Sequence, residues 1–384
     1  MRSQLPSTLD ALIQPAVWPY RGGWKLGWAP VSLWKAATEI NIDEFVADIS
    51  AATAHREGFI TGVVQYQAAP ESPLAVAALY PPENTLDISP ELIVEWIECL
   101  GADTHFALTA PFTCELSEAD YLLAIDEIKR YLISGDCYQV NFARRYATHF
   151  QGTALIGFLR LLAEHPAPHA SFFTLPSGDA VFGVSPERFL HIENDAVVTE
   201  PIKGSRARGA DAAEDALISQ QLANSEKDRA ENLMIVDLLR NDLGRVCESG
   251  SISAEPLFEV RRFSNVLHLV STVRGKLTST ISPLAALLSC FPGGSITGAP
   301  KKRAMEIIDE LETAPRGFYC GSQFSLDGNG ELESNILIRT FQTQGAKIYC
   351  HGGGGIVMDS DPHEEYLESE FKVRALMQTL ESIR

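Results

Sequence analysis

The stretch SFFTLPSGDAVFGVSPERFLHIENDAVVTEPIKG, residues 171–204, decides the fold class. Gly and Pro turn residues separate its short apolar segments, which is typical of consecutive antiparallel strands. Outward from it, the sequence pattern predicts further strands at 138–150, 267–277, 317–326, 332–342 and 346–358, and helices at 117–137, 211–241, 301–312 and 361–383. Because strands and helices fall in segregated runs, we predict an α+β fold with antiparallel sheets.

The bulk composition indicates a globular, acidic protein. The chain has 384 residues, of which 45% are hydrophobic, and a formal net charge of −19. This charge disfavours nonspecific binding to nucleic acid or to anionic membranes, so an anionic substrate would need a local basic pocket or a metal ion. No apolar run reaches the 18 residues that span a bilayer, and MRSQLPSTLD lacks the apolar core of a secretory signal.

Cysteine usage predicts the compartment. The seven cysteines form no C-x-x-C pair, and their number is odd. We therefore expect a reduced, cytoplasmic protein without a zinc site.

Two helices carry carboxylates at a spacing that suits a cation. Asp228 and Glu231 stand three apart, as do Glu365 and Glu368, and Lys372 lies one turn further. Residues three apart share a helix face, so two such pairs facing one point would suit Mg²⁺. The alternative is a pair of solvated helix faces.

Two glycine-rich segments are candidates for ligand binding. FPGGSITGAPKK, 291–302, does not fit the phosphate-loop template, because Ala299 stands where that template requires Lys. HGGGGIVMDSD, 351–361, follows a predicted strand. Its four glycines indicate either close approach of the backbone to a ligand or a loose turn.

Three basic residues are candidates for chemistry. Lys203 lies close to Arg206 and Arg208, and neighbouring cations or desolvation make a lysine amine a better nucleophile. His268 lies in a predicted strand, where it is either functional or a satisfied core residue. Arg339, inside an apolar strand, needs a carboxylate partner from the protein or from a ligand.

The chain resembles the chorismate-utilising enzymes. The resemblance rests on SPERF, PIKGSRARG, ENLMIVDLLRNDLGRV, HLVSTVRG, FPGGSITGAPKKRAMEIIDELE, RGFYCG, ILIRT and GGGGIV…EEYLESEFK, which occur in family order over residues 115–384. It implies a two-lobed α+β sandwich of two facing antiparallel sheets with helices outside. Residues 1–110 would form a variable N-terminal part of the sandwich and residues 111–384 the catalytic region, intertwined in a single domain.

Lys203 is the position at which members of this family differ. Anthranilate synthases resemble PIAGT there, whereas aminodeoxychorismate synthases have PIKG, as in this chain. The resemblance implies that the lysine amine adds to C2 of chorismate and expels the C4 hydroxyl, after which ammonia at C4 displaces the lysine. Members that activate water at C2 have Lys where this chain has Gln139, so isochorismate chemistry is not expected.

The resemblance also implies roles for matching residues. Glu187 would be the general acid and His268 a catalytic contact near C4. Glu231 and Glu368 would be the principal Mg²⁺ ligands, with Asp228 and Glu365 adjacent. The implied contacts to chorismate are Gly204, Ser205, Thr297, Tyr319, Arg339, Gly353, Gly355 and Lys372.

The implied partners are chorismate, ammonia and a separate glutaminase subunit in a transient heterodimer. Two other functions stay open at this point. One is an anthranilate synthase large subunit, which would release pyruvate. The other is a chorismate-binding sensor without catalytic activity.

Overall fold

A computed structural model describes residues 12–54, 58–67, 72–99, 105–262 and 266–383. The MRSQLPSTLD segment lies outside these ranges. The helices are α1 (Ile42–Ala54), α2 (Pro90–Cys99), α3 (Glu118–Ser134), α4 (Ala154–Glu164), α5 (Ala212–Ala223), α6 (Glu226–Leu243), α7 (Pro283–Cys290), α8 (Lys301–Leu311) and α9 (Pro362–Ser382).

The strands are β1 (Ala16–Tyr20), β2 (Gly23–Gly27), β3 (Ser32–Ala36), β4 (Phe59–Val64), β5 (Ala75–Tyr80), β6 (Thr85–Ile88), β7 (Phe106–Leu108), β8 (Thr113–Cys114), β9 (Gln139–Gly152), β10 (His169–Thr174), β11 (Ala180–Ser185), β12 (Arg188–Glu193), β13 (Ala196–Thr199), β14 (Ile202–Ala207), β15 (Ser253–Ala254), β16 (Glu259–Arg262), β17 (Val266–Val270), β18 (Val273–Lys276), β19 (Gly298–Ala299), β20 (Ser322–Asp327), β21 (Leu332–Asn335), β22 (Thr340–Gln344) and β23 (Lys347–Ile356).

These strands form two large sheets and one small sheet, all antiparallel within the described residues. The 11-stranded sheet runs β19-β9-β23-β22-β11-β10-β1-β2-β6, with β7 and β8 also paired to β9. The 9-stranded sheet runs β15-β18-β13-β12-β21-β20-β4-β5-β3, and β14-β17-β16 make the third. The predicted α+β class is confirmed, whereas the third sheet was not predicted.

The two large sheets face each other across a shared core. Trp18 of β1 and Phe173 of β10 come from the larger sheet, and Val63 of β4 and Tyr80 of β5 from the smaller; all four belong to one buried cluster. On the same strands, alternate residues such as Val17 point to the opposite face, as the strand period of two requires. Strands from the first 110 residues therefore contribute to both sheets.

Helices cover the outer faces of both sheets. α2, α4 and the C-terminal part of α9 pack on the larger sheet in one apolar cluster. α1, α6 and α7 pack on the smaller sheet in another. α3 and α8 enclose the start of β9. Burial of these apolar faces is the main stabilising contribution, at about 25 cal/mol per Å².

The sequence patterns predicted some boundaries well and others poorly. α3 begins after Ser117, whose Oγ accepts from the Asp120 amide as expected of a capping box. The helix predicted at 211–241 is wrong, because it is two helices divided at Asn224, with Ser225 capping α6. The helical spacing of apolar and polar residues continues past Asn224 in the sequence. The capping residue Ser225 was therefore the only local indication that one helix ends and another begins.

Two of the predicted strands are each two separate strands in the structure. The strand predicted at 267–277 is β17 in the third sheet followed by β18 in the 9-stranded sheet. The Ser271 hydroxyl accepts from the Phe258 amide at this crossing, where the chain changes sheets. The strand predicted at 332–342 likewise divides into β21 and β22, and the 317–326 strand begins only at Ser322.

Candidate functional site

A bulge in β14 sets the direction of Lys203. Lys203 pairs with Leu269, yet Ser205 pairs with the adjacent His268, so Gly204 is the extra residue. Gly204 has φ +69, and a Cβ there would lie 2.9 Å from Cγ of Asp228. Glycine is therefore required at this point for both backbone conformation and space.

Lys203 lies close to the charged groups of Glu231, Lys372, Glu187 and Glu368, and the site that these five side chains form is called the pocket. The side chain of Lys203 is half-buried. Burial lowers the pKa of its amine, and the nearby ammonium of Lys372 lowers it further, while the carboxylates of Glu231, Glu187 and Glu368 oppose both effects. The structure thus brings together five charged residues that the sequence analysis proposed from four separate segments.

Glu187 occupies the turn between β11 and β12 and is buried. Burial raises the pKa of its carboxyl to about 7, even though a hydrogen bond from Ser295 and the charges of Lys203 and Arg339 favour the ionised form. Its amide donates to Ser185 Oγ at 3.2 Å, which fixes the turn. A carboxyl group with this pKa can hold a proton near neutrality and release it in a reaction.

The first turns of α9 place two carboxylates beside Gly354. A Cβ at Gly354 would lie 3.1 Å from Oε2 of Glu365 and 3.4 Å from Nζ of Lys372. Glu365 accepts from the Ser360 hydroxyl at 2.7 Å. Lys372 binds Glu368 at 2.7 Å and donates to the Gly353 carbonyl at 2.9 Å. Burial alone would raise the pKa of Glu368, but the ion pair with Lys372 lowers it.

The four predicted metal ligands are near the pocket but do not form a ready-made cluster. Asp228 pairs with Arg206 at 2.8 Å, away from Glu368. Among the described residues, no three His, Cys, Asp or Glu side chains are placed to hold a metal ion together. The donor chemistry nevertheless fits Mg²⁺, because Glu231 of α6 and Glu368 of α9 supply carboxylate oxygens and both lie close to Lys203.

Arg339 and Tyr319 are two of the predicted contacts to chorismate. Arg339 adopts φ +53, and within the described part of the chain its guanidinium has no ion pair or hydrogen bond. Burial lowers its pKa, with Glu187 opposing. Tyr319 stacks on His351 with ring centroids 4.8 Å apart, and its neighbouring guanidinium is that of Arg316. A half-buried arginine in this strained backbone conformation suits an anionic ligand.

His268 and Thr297 are both held by the protein. The Ser205 hydroxyl and Nδ1 of His268 form a hydrogen bond of 2.8 Å. Burial, assisted by Arg339, lowers the pKa of His268 to about 4, so the ring is neutral at pH 7. Thr297 donates to the Gly293 carbonyl at 3.0 Å. The contact of these two side chains with a substrate stays a prediction.

The glycine-rich segment is a strand and not a loose turn, so that alternative is wrong. Gly352 to Gly355 are inside β23. A Cβ at Gly352 would overlap the Ser369 carbonyl of α9, and one at Gly355 would lie 3.0 Å from Nε2 of Gln139. These glycines allow α9 and the side chains of the pocket to approach the sheet closely.

Two features of the pocket were missed in the sequence analysis. The amide of Gln139 is fully buried and has no hydrogen-bond partner in the described structure, although it lies beside Gly355. Arg316 forms a buried ion pair with Glu312 behind Tyr319. Arg316 belongs to the RGFYCG motif, but nothing in that motif indicates what its side chain contacts.

Comparison with known proteins places these features in a family. The family model described as "chorismate binding enzyme" matches residues 49–378. The chain is 46% identical over 295 residues to aminodeoxychorismate synthase component 1 of Klebsiella aerogenes and 44% identical over 288 residues to that of Escherichia coli K12. These alignments cover 76% and 74% of this chain but 65% and 63% of the relatives, so the chain spans slightly less than two thirds of their length.

More distant relatives and solved structures have the same fold. Anthranilate synthase component 1 of Bacillus caldotenax is 37% identical over 73% of this chain and 56% of its own length. The crystal structure of anthranilate synthase component I from Streptococcus pneumoniae has a TM-score of 0.76 at 25% identity, covering 92% and 91% of the two chains. The menaquinone-specific isochorismate synthase of Escherichia coli has a TM-score of 0.77 at 19% identity, covering 96% and 89%, which supports the fold alone.

Proposed function

Because the chain belongs to the family of chorismate binding enzymes, we propose that it aminates chorismate at C4 to give 4-amino-4-deoxychorismate. The observation that carries the proposal is the amine of Lys203, which is enclosed beside Glu187 and has a lowered pKa. The 46% and 44% identity to two aminodeoxychorismate synthase components supports the same choice.

The first half of the proposed reaction uses Lys203 and Glu187. The uncharged amine of Lys203 bonds to C2 of the ring, both conjugated double bonds of the ring shift by one position, and the bond between C4 and its hydroxyl oxygen breaks. Glu187 gives its proton to that oxygen, which leaves as water. The lowered pKa of the lysine supplies the uncharged amine, and the raised pKa of the glutamate supplies the proton.

The second half restores both residues. Ammonia bonds to C4, both double bonds shift back, and the bond between C2 and the nitrogen of Lys203 breaks. The nitrogen added at C4 passes its extra proton to the Glu187 carboxylate. The sum is chorismate plus ammonia giving the aminated product plus water, with the pyruvyl ether intact.

The remaining residues would bind and orient the substrate. Glu231 and Glu368, with Asp228 and Glu365 adjacent, would hold Mg²⁺, which neutralises the ring carboxylate when bound. Arg339 would pair with the pyruvyl carboxylate. The other proposed contacts with this half of the substrate are Tyr319 and the backbone of Gly353 and Gly355, while His268, Ser205 and Thr297 would lie near C4.

The ammonia would come from a separate glutaminase subunit, in a heterodimer in the cytoplasm, and the product would serve p-aminobenzoate and folate synthesis. Both named relatives are a "component 1", which supports a partner subunit. Within the described ranges, no helix has the length and apolar character needed to cross a membrane.

Mass analysis of the products tests this proposal. The purified chain is incubated with chorismate, an ammonium salt at raised pH and Mg²⁺, with a sample lacking ammonia as control. We expect a product in which NH₂ replaces one hydroxyl of chorismate, without release of pyruvate. Anthranilate together with pyruvate would indicate anthranilate synthase activity instead. Bound but unconverted chorismate would indicate a sensor.

A further inference from the structure

One fully buried arginine, Arg316, donates hydrogen bonds from all three nitrogens of its guanidinium. Arg316 is 0% exposed. Its Nε and Nη2 bind the carboxylate of Glu312 at 2.9 and 2.7 Å, Nη1 donates to the Ile296 carbonyl at 2.9 Å, and Nη2 also donates to the Asn141 carbonyl at 2.9 Å. The ring of Tyr66 lies 4.7 Å from the guanidinium carbon. Three separated chain segments therefore meet at one side chain.

The first of these segments is the part of β9 opposite the glycines. Asn141 pairs with Gly355, and Ala143 pairs with Gly353. Arg316 holds the Asn141 carbonyl, and Glu312 accepts from the Ala143 amide at 2.9 Å. The ion pair thus fixes β9 at the two residues that face the two proposed backbone contacts of the substrate.

The other two segments carry Thr297 and Tyr319. Ile296, whose carbonyl binds Arg316, directly precedes Thr297, and the Thr297 carbonyl accepts from the Asn141 amide at 2.8 Å. In the third segment, which contains Arg316 itself, the Tyr319 amide donates to the carbonyl of Arg316 at 3.0 Å. Gly353, Gly355, Thr297 and Tyr319 are therefore each connected to the Arg316–Glu312 ion pair through one or two residues that are hydrogen-bonded or paired in a strand. Arg339 has no such connection among these contacts.

We propose that Arg316, paired with Glu312, is a positioning residue that sets Gly353, Gly355, Thr297 and Tyr319 in mutual register for binding the substrate. It touches no reacting atom and acts through the backbone that it holds. This inference rests on the proposed function for the identity of the ligand, but the geometric role does not depend on which reaction follows. Lysine could not replace it, because a single ammonium lacks the planar fork that reaches all three segments.

The experiment must separate positioning from general stability. Removing Arg316 alone leaves the Glu312 charge buried and unpaired, which destabilises any protein. The test variant is therefore Arg316→Met combined with Glu312→Gln, which removes both charges and keeps similar volume. The control is Leu162→Ala, a truncation at a fully buried site on α4 in the core of the larger sheet. A single Arg316→Lys variant tests whether charge alone suffices.

Two readouts are measured for each protein. We expect the double variant and Arg316→Lys to bind chorismate at least tenfold more weakly, and to exchange amide hydrogens faster in the segments 139–143 and 293–299. The Leu162→Ala control should match the parent in both readouts, even if its melting temperature falls as far as that of the double variant.

Two results would overturn the inference. One is a double variant with parental chorismate affinity; the other is exchange rates in both segments equal to those of the control. If the parent itself binds no chorismate, the proposed function fails, and the exchange rates alone decide the role of Arg316.

Discussion

Replacing Glu187 by glutamine should change the pH dependence of stability. Burial raises the pKa of this carboxyl from 4.5 to about 7 in the folded protein. The folded state therefore binds the proton more tightly than the unfolded state does. Its contribution to stability is fully present below pH 4.5 and is lost as the pH rises through about 7.

The magnitude follows from the same two values. Because one pKa unit corresponds to about 1.4 kcal/mol, the parent should lose roughly 3 kcal/mol of folding free energy that glutamine, which does not ionise, would not lose. Most of this difference develops between pH 5 and pH 8. Relative to the parent, Glu187→Gln should thus gain roughly 2 to 3 kcal/mol over that interval.

Urea unfolding at pH 5, 6, 7 and 8 measures this difference. The matched control is Glu39→Gln, at an exposed glutamate far from the pocket, for which the difference from the parent should stay flat. The reasoning is refuted if the free-energy difference between Glu187→Gln and the parent is the same at pH 5 and pH 8. That result would mean that the carboxyl is not desolvated in the folded protein.

Four further substitutions test other parts of the pocket. Lys203→Ala should lower the amination rate by at least about a hundredfold while leaving chorismate affinity nearly unchanged, because it removes the proposed nucleophile; single-turnover kinetics and calorimetry check this. Glu368→Gln should weaken Mg²⁺ binding by at least about tenfold, as measured by titration followed by calorimetry. Gly352→Ala should destabilise the fold by about 1 to 3 kcal/mol in urea unfolding, because its Cβ would overlap backbone. Gly354→Ala should destabilise much less, because it meets only flexible side-chain ends, yet should weaken Mg²⁺ binding.

Each of these expectations has a matched control or an opposite outcome. Lys35→Ala and Asp237→Asn change exposed residues and should behave as the parent does. An unchanged rate in Lys203→Ala would remove the covalent step. Equal metal affinities in Glu368→Gln and the parent would contradict the metal assignment. Equal stability losses in the two glycine variants would contradict the tight packing of α9 on β23.

The sequence indicated which charged residues lie close to Lys203, but not the residues that support them. Lys203 and Glu187 could be assigned because their motifs are local and their residue types are chemically distinctive. The class of the fold and the family were also predictable from ordered motifs and strand patterns. None of these patterns reports distances, so the pairing of Asp228 with Arg206 became visible only in three dimensions.

The sequence predictions were wrong or incomplete mainly where a segment's structure depends on partners that are distant in sequence. The apolar pattern of residues 267–277 continues across the point where the chain passes from one sheet to another. Both halves are apolar, although they belong to different sheets. The interpretation of the four glycines stayed open between a ligand contact and a loose turn, because what makes them necessary is the close approach of α9. Arg316 was overlooked because two of the groups that it binds are backbone carbonyls, which any residue can provide.

The pairing of β9 with β23 has a consequence for biosynthesis. β9 leaves the ribosome well before β23, the strand that pairs along ten of its residues. Until then, one edge of β9 presents unpaired N–H and C=O groups, and pairings between such distant segments form slowly. A nascent chain halted before residue 347 would therefore expose a template for aggregation. Translation of β23 and α9 both protects that edge and brings Gly354 beside the carboxylates of Glu365 and Glu368.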